Sequence, residues 1–389
     1  LGVEGYGLYS VFITLTLFFR HFAGLNLQSV IHRRFFDQEK LDFSEYVFNG
    51  LFLIVISSVI SYILILMFSD LIEKVTGIEP NVFVWVVVVS MLTNVINIHL
   101  NICRAENKPL LYGFMVIFQS TIVLFITIFL LEFSEQGWLA TVSGQVIGCL
   151  IVCLFTVNYL SRKGYIKANF NSDYMKDALA YVIPLIPHGI SGVTFNLSGR
   201  LFISSIEGAE QTGYYTIAYQ LASLISLICT AFSTAWTNWL YGKLKEGKQN
   251  NYNLIKATYI YFVLVIVFGF IYSFSLPLLA PLVLGDETLK HLYYADWIIA
   301  GFVLQGFYQV VIGYLFFDNK TKTISKITML VALISLASNY GFIIMYGGKG
   351  AAISFFFSWL IMFCLTFFIV LRSPSSPWKY KLKGQQECG

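Results

Sequence analysis

The sequence predicts an all-α polytopic membrane protein made of two parallel six-helix bundles, with twelve spans expected and eleven visible. Three observations lead there: a charge-poor composition, eleven long apolar runs, and a repeat that relates the two halves. Hydrophobic residues make up 57% of the 389 and charged residues only 12%, against about 25% charge in soluble domains. Most of the surface must therefore face something apolar.

A bilayer core takes about 20 apolar residues per helix. The runs lie at about 7–30, 46–68, 82–102, 110–131, 138–160, 179–204, 211–239, 255–284, 292–317, 323–345 and 350–371. The loops between them are short, the longest near 161–178, and leave no room for a soluble domain. A run such as Val82–Met91 lacks the alternation of a barrel strand. Of the 25 Lys and Arg, 20 fall in loops on one side and three, Lys74, Lys290 and Lys349, on the other; Arg20 and Arg200 lie inside spans. The positive-inside rule then makes the basic loops and the C-terminus cytoplasmic.

The repeat is visible in four matches. Gly7–Val11 resembles Gly213–Ile217, Val75–Glu79 resembles Val283–Glu287, and Asn107-Lys108 matches Asn319-Lys320. The helix after Gly137 matches the one after Gly350, all in one order with a slowly growing offset. The expected division is 1–170 for the first bundle and 171–389 for the second, which ends in a short cytoplasmic tail. The first bundle is expected to lack its first helix in this sequence, which opens at Leu1 rather than Met. Six spans per half give both halves one orientation, and transporters so built bind substrate near the midplane.

Ionisable groups inside a span are functional candidates by default. Arg20 and His21 lie in the first run; His188, Asn196 and Arg200 share a 120° arc of the run at 179–204. Gly189, Gly192 and Gly199 allow close backbone approach, and Pro184 and Pro187 free carbonyls. This face suits a diphosphate or an acidic sugar, because a guanidinium forms paired hydrogen bonds to phosphate. The alternative for Arg200 is snorkelling to the outer interface. Ser90, Asn94, Asn97 and Asn101 form one polar stripe, which fits either sugar contact or helix–helix bonding. His99 reads as structural. Gln305 and Gln309 share a face of the run beginning at 292. His21 and His188 are candidate proton-coupling sites. Trp138, Trp236, Trp239 and Trp297 read as interfacial belts. Asp296 reads as an interface residue. No metal-site or disulfide spacing links the six cysteines, no cofactor motif is present, and no paired carboxylates or Ser/His/Asp set suggests an enzyme. The basic loops follow from topology, so nucleic acid is not expected as a partner.

Leu1-Gly-Val-Glu-Gly-Tyr-Gly-Leu-Tyr-Ser10, Cys103-Arg-Ala-Glu-Asn-Lys108, Ile183-Pro-Leu-Ile-Pro-His188, Gly213-Tyr-Tyr-Thr-Ile-Ala218 and Ala235-Trp236 carry a resemblance over nearly the whole chain. They resemble polysaccharide-biosynthesis (O-antigen/exopolysaccharide) flippases of the multidrug/oligosaccharidyl-lipid/polysaccharide exporter superfamily. The resemblance implies a central cavity between two bundles and an undecaprenyl-diphosphate-linked oligosaccharide as substrate. It also implies a bacterial inner membrane, with membrane lipids, a polysaccharide polymerase and a chain-length regulator as partners. Family members often carry Asp-Arg where this chain has Ser198-Gly199-Arg200, so a mechanism that uses that carboxylate is in doubt. The alternatives are a lipid II-type flippase and a cation-coupled multidrug exporter; the latter would need intramembrane carboxylates, which span interiors here almost lack.

Overall fold

The computed structural model describes residues 2–39, 41–183, 186–246, 251–282, 289, 292–318 and 320–378, with the backbone alone at Pro187, His188, Asn196, Asn238, Lys245, Asn251 and Leu282. Helices account for nearly all of it, and no strand occurs among the described residues. In order they are α1 (Gly2–Ala23), α2 (Leu27–Arg34), α3 (Phe43–Met67), α4 (Ser69–Thr76), α5 (Phe83–Ala105), α6 (Pro109–Phe133), α7 (Leu139–Arg162) and α8 (Ser172–Val182). Then come α9 (Ile186–Glu207), α10 (Ala209–Lys245), α11 (Asn251–Leu279), α12 (Tyr293–Phe317), α13 (Thr321–Tyr346) and α14 (Gly348–Leu371).

Ten helices among the described residues are long and apolar enough to cross a membrane, where eleven visible spans are expected. The difference is α9. It has 22 residues, about 33 Å at 1.5 Å per residue, but its His, Gly, Asn and Arg content lowers its hydropathy. The run expected at 179–204 is also two helices, with α8 ending at Val182 before Pro184. The expected first span is likewise divided, because α1 stops at Ala23 and α2 begins at Leu27.

By contacts the chain forms two units: 1–194 with 208–213, and 195–207 with 214–389. The sequence divides the chain after 170; by contacts α8 and the start of α9 group with the first unit. Within the first unit α5 is the centre, packed by α1, α2, α3 and α7, while α6 lies on α7. Within the second, α12 takes the place of α5: α11 and α14 pack on it, and α13 lies on α14. The pairings α3–α5, α5–α7 and α6–α7 thus recur as α11–α12, α12–α14 and α13–α14. Two of the matched glycines also meet inside the first unit. A Cβ on Gly7 would lie 1.8 Å from the Ala209 carbonyl oxygen, and one on Gly213 would lie 2.2 Å from that of Val3. Only glycine lets α1 and the start of α10 approach so closely.

The segment between α7 and α8 is tied to the start of α3. Lys167 Nζ lies 2.9 Å from Asp42 and 2.7 Å from Glu45. Asn49 donates to the Asn169 carbonyl and accepts from the Asn171 amide. Arg34 of α2 binds Asp177 of α8 through two nitrogens, at 3.1 and 2.5 Å, and Asp37 at 2.9 Å. These bonds, with the Asp177 hydrogen bond foremost, hold the Arg34 guanidinium above its ordinary value.

A broken helix and two intramembrane arginines

The break between α1 and α2 is built from Gly24, Leu25 and Asn26. Leu25 and Asn26 have φ of 49° and 55°, the left-handed region that ends a helix. An ended helix leaves carbonyls without intrahelical donors, and in a membrane each unsatisfied group costs several kcal/mol. Neighbouring helices add donors, although the Arg20 carbonyl also keeps the Gly24 amide at 3.0 Å. Ser57 Oγ of α3 donates to the Ala23 carbonyl at 2.7 Å, with Ser58 Oγ at 3.3 Å from the same atom. Asn94 Nδ2 of α5 donates to the Arg20 carbonyl at 3.0 Å and to that of Ser90 at 2.9 Å. Ser90 Oγ lies 2.9 Å from the Thr16 carbonyl. A Cβ on Gly24 would fall 2.0 Å from Asn94 Cγ, so glycine is required at that crossing.

Arg20 and His21 occupy the last turn of α1, where the helix C-terminus favours positive charge. Asn26 Oδ1 sits 3.1 Å from His21 Nδ1. Gly189 of α9 passes so close that a Cβ there would lie 2.6 Å from the same nitrogen. The expected close approach therefore holds at Gly189, whereas a Cβ on Gly192 would meet nothing within 4 Å. The Arg20 side chain is half-buried, and no acidic group among the described residues comes within ion-pair distance of it. The first unit thus brings Arg20, His21 and Asn94 together around one break.

In the second unit Arg200 is 8% exposed, which rules out snorkelling into water. Its Cζ lies 4.9 Å from the Tyr219 ring centroid, a cation–π contact worth about 0.5–2 kcal/mol. Nε finds no partner, and no described acid pairs with the guanidinium. Beside it Asn339 Nδ2 donates to Ser198 Oγ at 3.0 Å and to Ser335 Oγ at 3.3 Å. Ser338 and Ser354 hydroxyls share a bond at 2.6 Å. The Tyr219 ring, and no described carboxylate, is thus the partner seen for Arg200.

Residues 1–237, more than half of the chain, match the model of a family described as polysaccharide biosynthesis protein. The chain belongs to that family. Among curated proteins it is 24% identical over 342 residues to the Haemophilus influenzae "Lsg locus putative protein 1", covering 87% of this chain and 83% of that one. Among solved structures it resembles an inward-facing multidrug resistance MATE family transporter of the MOP superfamily, with a TM-score of 0.78 at 15% identity, covering 95% and 90% of the two chains. It also resembles the lipid II flippase MurJ in an inward closed conformation, with a TM-score of 0.72 at 18% identity, covering 96% and 83%. At such identities the likeness shows the fold: a polytopic all-helical membrane protein, as the sequence predicted.

For this family member the remaining site residues fall as follows. The side chains of His188 and Asn196 lie outside the described residues. Asn94 is 1% exposed, with its amide nitrogen given to backbone and its Oδ1 without a partner. Asn101 donates to the Asn97 carbonyl at 2.8 Å, and its own carbonyl meets His32 Nδ1 at 3.1 Å. Gln305 accepts from Ser226 of α10 at 2.7 Å, and Gln309 donates to Thr230 at 3.1 Å, so both bridge α12 to α10. Trp236 is not part of a belt: it is 5% exposed and donates to the Val310 carbonyl at 3.1 Å. Asn26, Tyr219 and Asn339 were not singled out from sequence. A Gly and an Asn two residues apart inside an apolar run were the available sign of the break; nothing local marked the other two.

Proposed function

We propose that this chain moves lipid-linked oligosaccharide repeat units, carried on undecaprenyl diphosphate, across the bacterial inner membrane by alternating access, for surface polysaccharide such as O-antigen, capsule or exopolysaccharide. One observation carries the reading: Arg20 presents a half-buried guanidinium at a helix break, with no acidic group beside it among the described residues. A charge so placed costs about 3 kcal/mol of insertion free energy, and an anionic headgroup would offset that cost. Discontinuous helices are where transporters of this membrane class place ligand groups. His21 adds a second donor and a site able to take up a proton. Arg200 makes its contact when the Tyr219 stack opens. Family membership agrees with a saccharide substrate. The charge distribution supports a cytoplasmic C-terminus, and a polymerase and chain-length regulator are the proposed partners.

The test is transport by the purified protein in proteoliposomes. A labelled undecaprenyl-diphosphate oligosaccharide should pass to the leaflet protected from an added glycosidase. Arg20→Ala should slow that passage at least about tenfold, the loss of one phosphate contact, at unchanged protein level. Unchanged passage removes Arg20 from the mechanism. Passage of lipid II at the same rate would favour a lipid II-type flippase, and sodium- or proton-driven export of a cationic dye would favour the multidrug exporter.

A further inference from the structure

α11 and α12 enclose a groove on the surface of the second unit, and it differs from the rest of that surface. Two adjoining cavities of about 440 and about 430 Å³ share Phe270, Ser273 and Asp296. The longer wall is hydrocarbon, with Ile266, Phe270, Ile299, Val303 and Phe307 among its residues. Gly269 lets the two helices touch at its floor, where a Cβ would stand 2.7 Å from Val303 Cγ2. At one end of this apolar trough sits Asp296, exposed and in the first turn of α12. Ser273 donates its hydroxyl to the Asp296 carboxylate. No Lys or Arg among the described residues comes within ion-pair distance of it. Pro277 adds a further acceptor: it has no N–H, so the Ser273 carbonyl loses the helical donor four residues on. A carboxylate and a helix turn that lacks one amide donor therefore both line the head of an apolar groove.

We infer that this groove holds one phospholipid with a primary amine headgroup, of the phosphatidylethanolamine type, its ammonium on Asp296 and the Ser273 carbonyl and one acyl chain along Ile266, Phe270 and Val303. Charge selects the occupant. A polyprenyl diphosphate would bring negative charge against the carboxylate, and so would a phosphatidylglycerol. A choline headgroup is cationic but has no N–H to donate, whereas a primary ammonium has three donors. The contact is a charge-assisted bond at the membrane interface, where fewer waters compete than in bulk solvent.

Native mass spectrometry of the delipidated full chain tests this, with phosphatidylethanolamine, phosphatidylcholine and phosphatidylglycerol of identical acyl chains. Wild type should retain the ethanolamine lipid about fivefold over the other two, the worth of one net hydrogen bond. Asp296→Asn should erase that preference while leaving the total bound lipid and the monodisperse elution profile unchanged. Ala300→Phe, which fills the trough, should lower retention of every acyl lipid. An ethanolamine preference that survives Asp296→Asn overturns the assignment. So does displacement of the bound lipid by undecaprenyl phosphate, which would make the trough a site for the substrate's tail.

Discussion

The two units treat a helix-borne arginine in opposite ways. In the first, the polar side chains around Arg20 are spent on backbone: Ser57, Ser58, Ser90 and Asn94 all face carbonyls of α1. Arg20 itself is half-buried. In the second, the helix that carries Arg200 runs unbroken from Ile186 to Glu207, and the polar side chains bond to one another. The guanidinium there is stacked and closed off at 8% exposure. A broken helix consumes its neighbours' donors; an intact helix leaves those donors to bond one another. The comparison predicts that Arg20 governs transport more than Arg200 does. In proteoliposomes Arg20→Ala should cost at least about tenfold in rate and Arg200→Ala only about threefold, differences of about 1.4 and 0.7 kcal/mol. Equal losses would break the comparison.

The serines of α3 offer the next test. Each hydroxyl has one hydrogen: Ser57 gives its hydrogen to Ala23 at 2.7 Å, and Ser58 gives its to Ile54 at 2.7 Å. Ser58 stands 3.3 Å from the same Ala23 carbonyl and can replace its neighbour. Ser57→Ala alone should therefore cost little. The double change Ser57→Ala with Ser58→Ala leaves the Ala23 carbonyl bare and should cost about 2 kcal/mol, the penalty of a buried unsatisfied acceptor. Thermal unfolding in detergent measures it. Additive effects of the two single changes would show that the break does not depend on these hydroxyls.

The second unit's cage is sharpened by Tyr219. Tyr219→Phe keeps a ring under Arg200 and should leave stability within about 0.5 kcal/mol. Tyr219→Leu removes the ring's quadrupole and should cost about 1 kcal/mol through the lost cation–π contact alone. A Leu variant as stable as the Phe variant would mean that the 4.9 Å stack contributes nothing.

What the sequence made legible follows from range. Helix identity and the repeat are local in signal: apolar runs of span length and matched short motifs mark α3, α5, α6, α7 and α11 to α14 within a few residues. Arg20, His21 and Arg200 stood out because ionisable groups are rare in such runs. The break at Gly24–Asn26 was missed because hydropathy averages over it, and Leu25, a residue that rarely adopts a positive φ, gives no warning. The stripe Ser90–Asn94 was visible, but its choice between sugar and helix rests on which backbone atoms lie opposite. Arg200's surroundings depend on residues far along the chain, as with Asn339 and Ser198, 141 residues apart.

The smallest effect belongs to the tether outside the span region, where Lys167 and Asp42 are exposed although Glu45 is half-buried. Lys167 is 59% exposed, and surface ion pairs contribute little. The Lys167 hydrogen bond holds the Asp42 and Glu45 carboxyls below their ordinary values. A carboxylate whose folded pKa is depressed stabilises the fold above its unfolded pKa and loses that effect as pH falls through the folded one. Lys167 is raised in turn, chiefly by Glu45 and Asp42, so its share persists until pH rises past about 10.4, the ordinary lysine value. The tether is thus at full strength between about pH 5 and pH 10. The melting temperature of Lys167→Met should sit slightly below that of wild type across this window and converge with it as pH falls below the ordinary carboxylate range. A gap that stays constant into acid would assign the effect of Lys167 to its methylene packing, and the bond between Lys167 Nζ and Glu45 would then be only a contact.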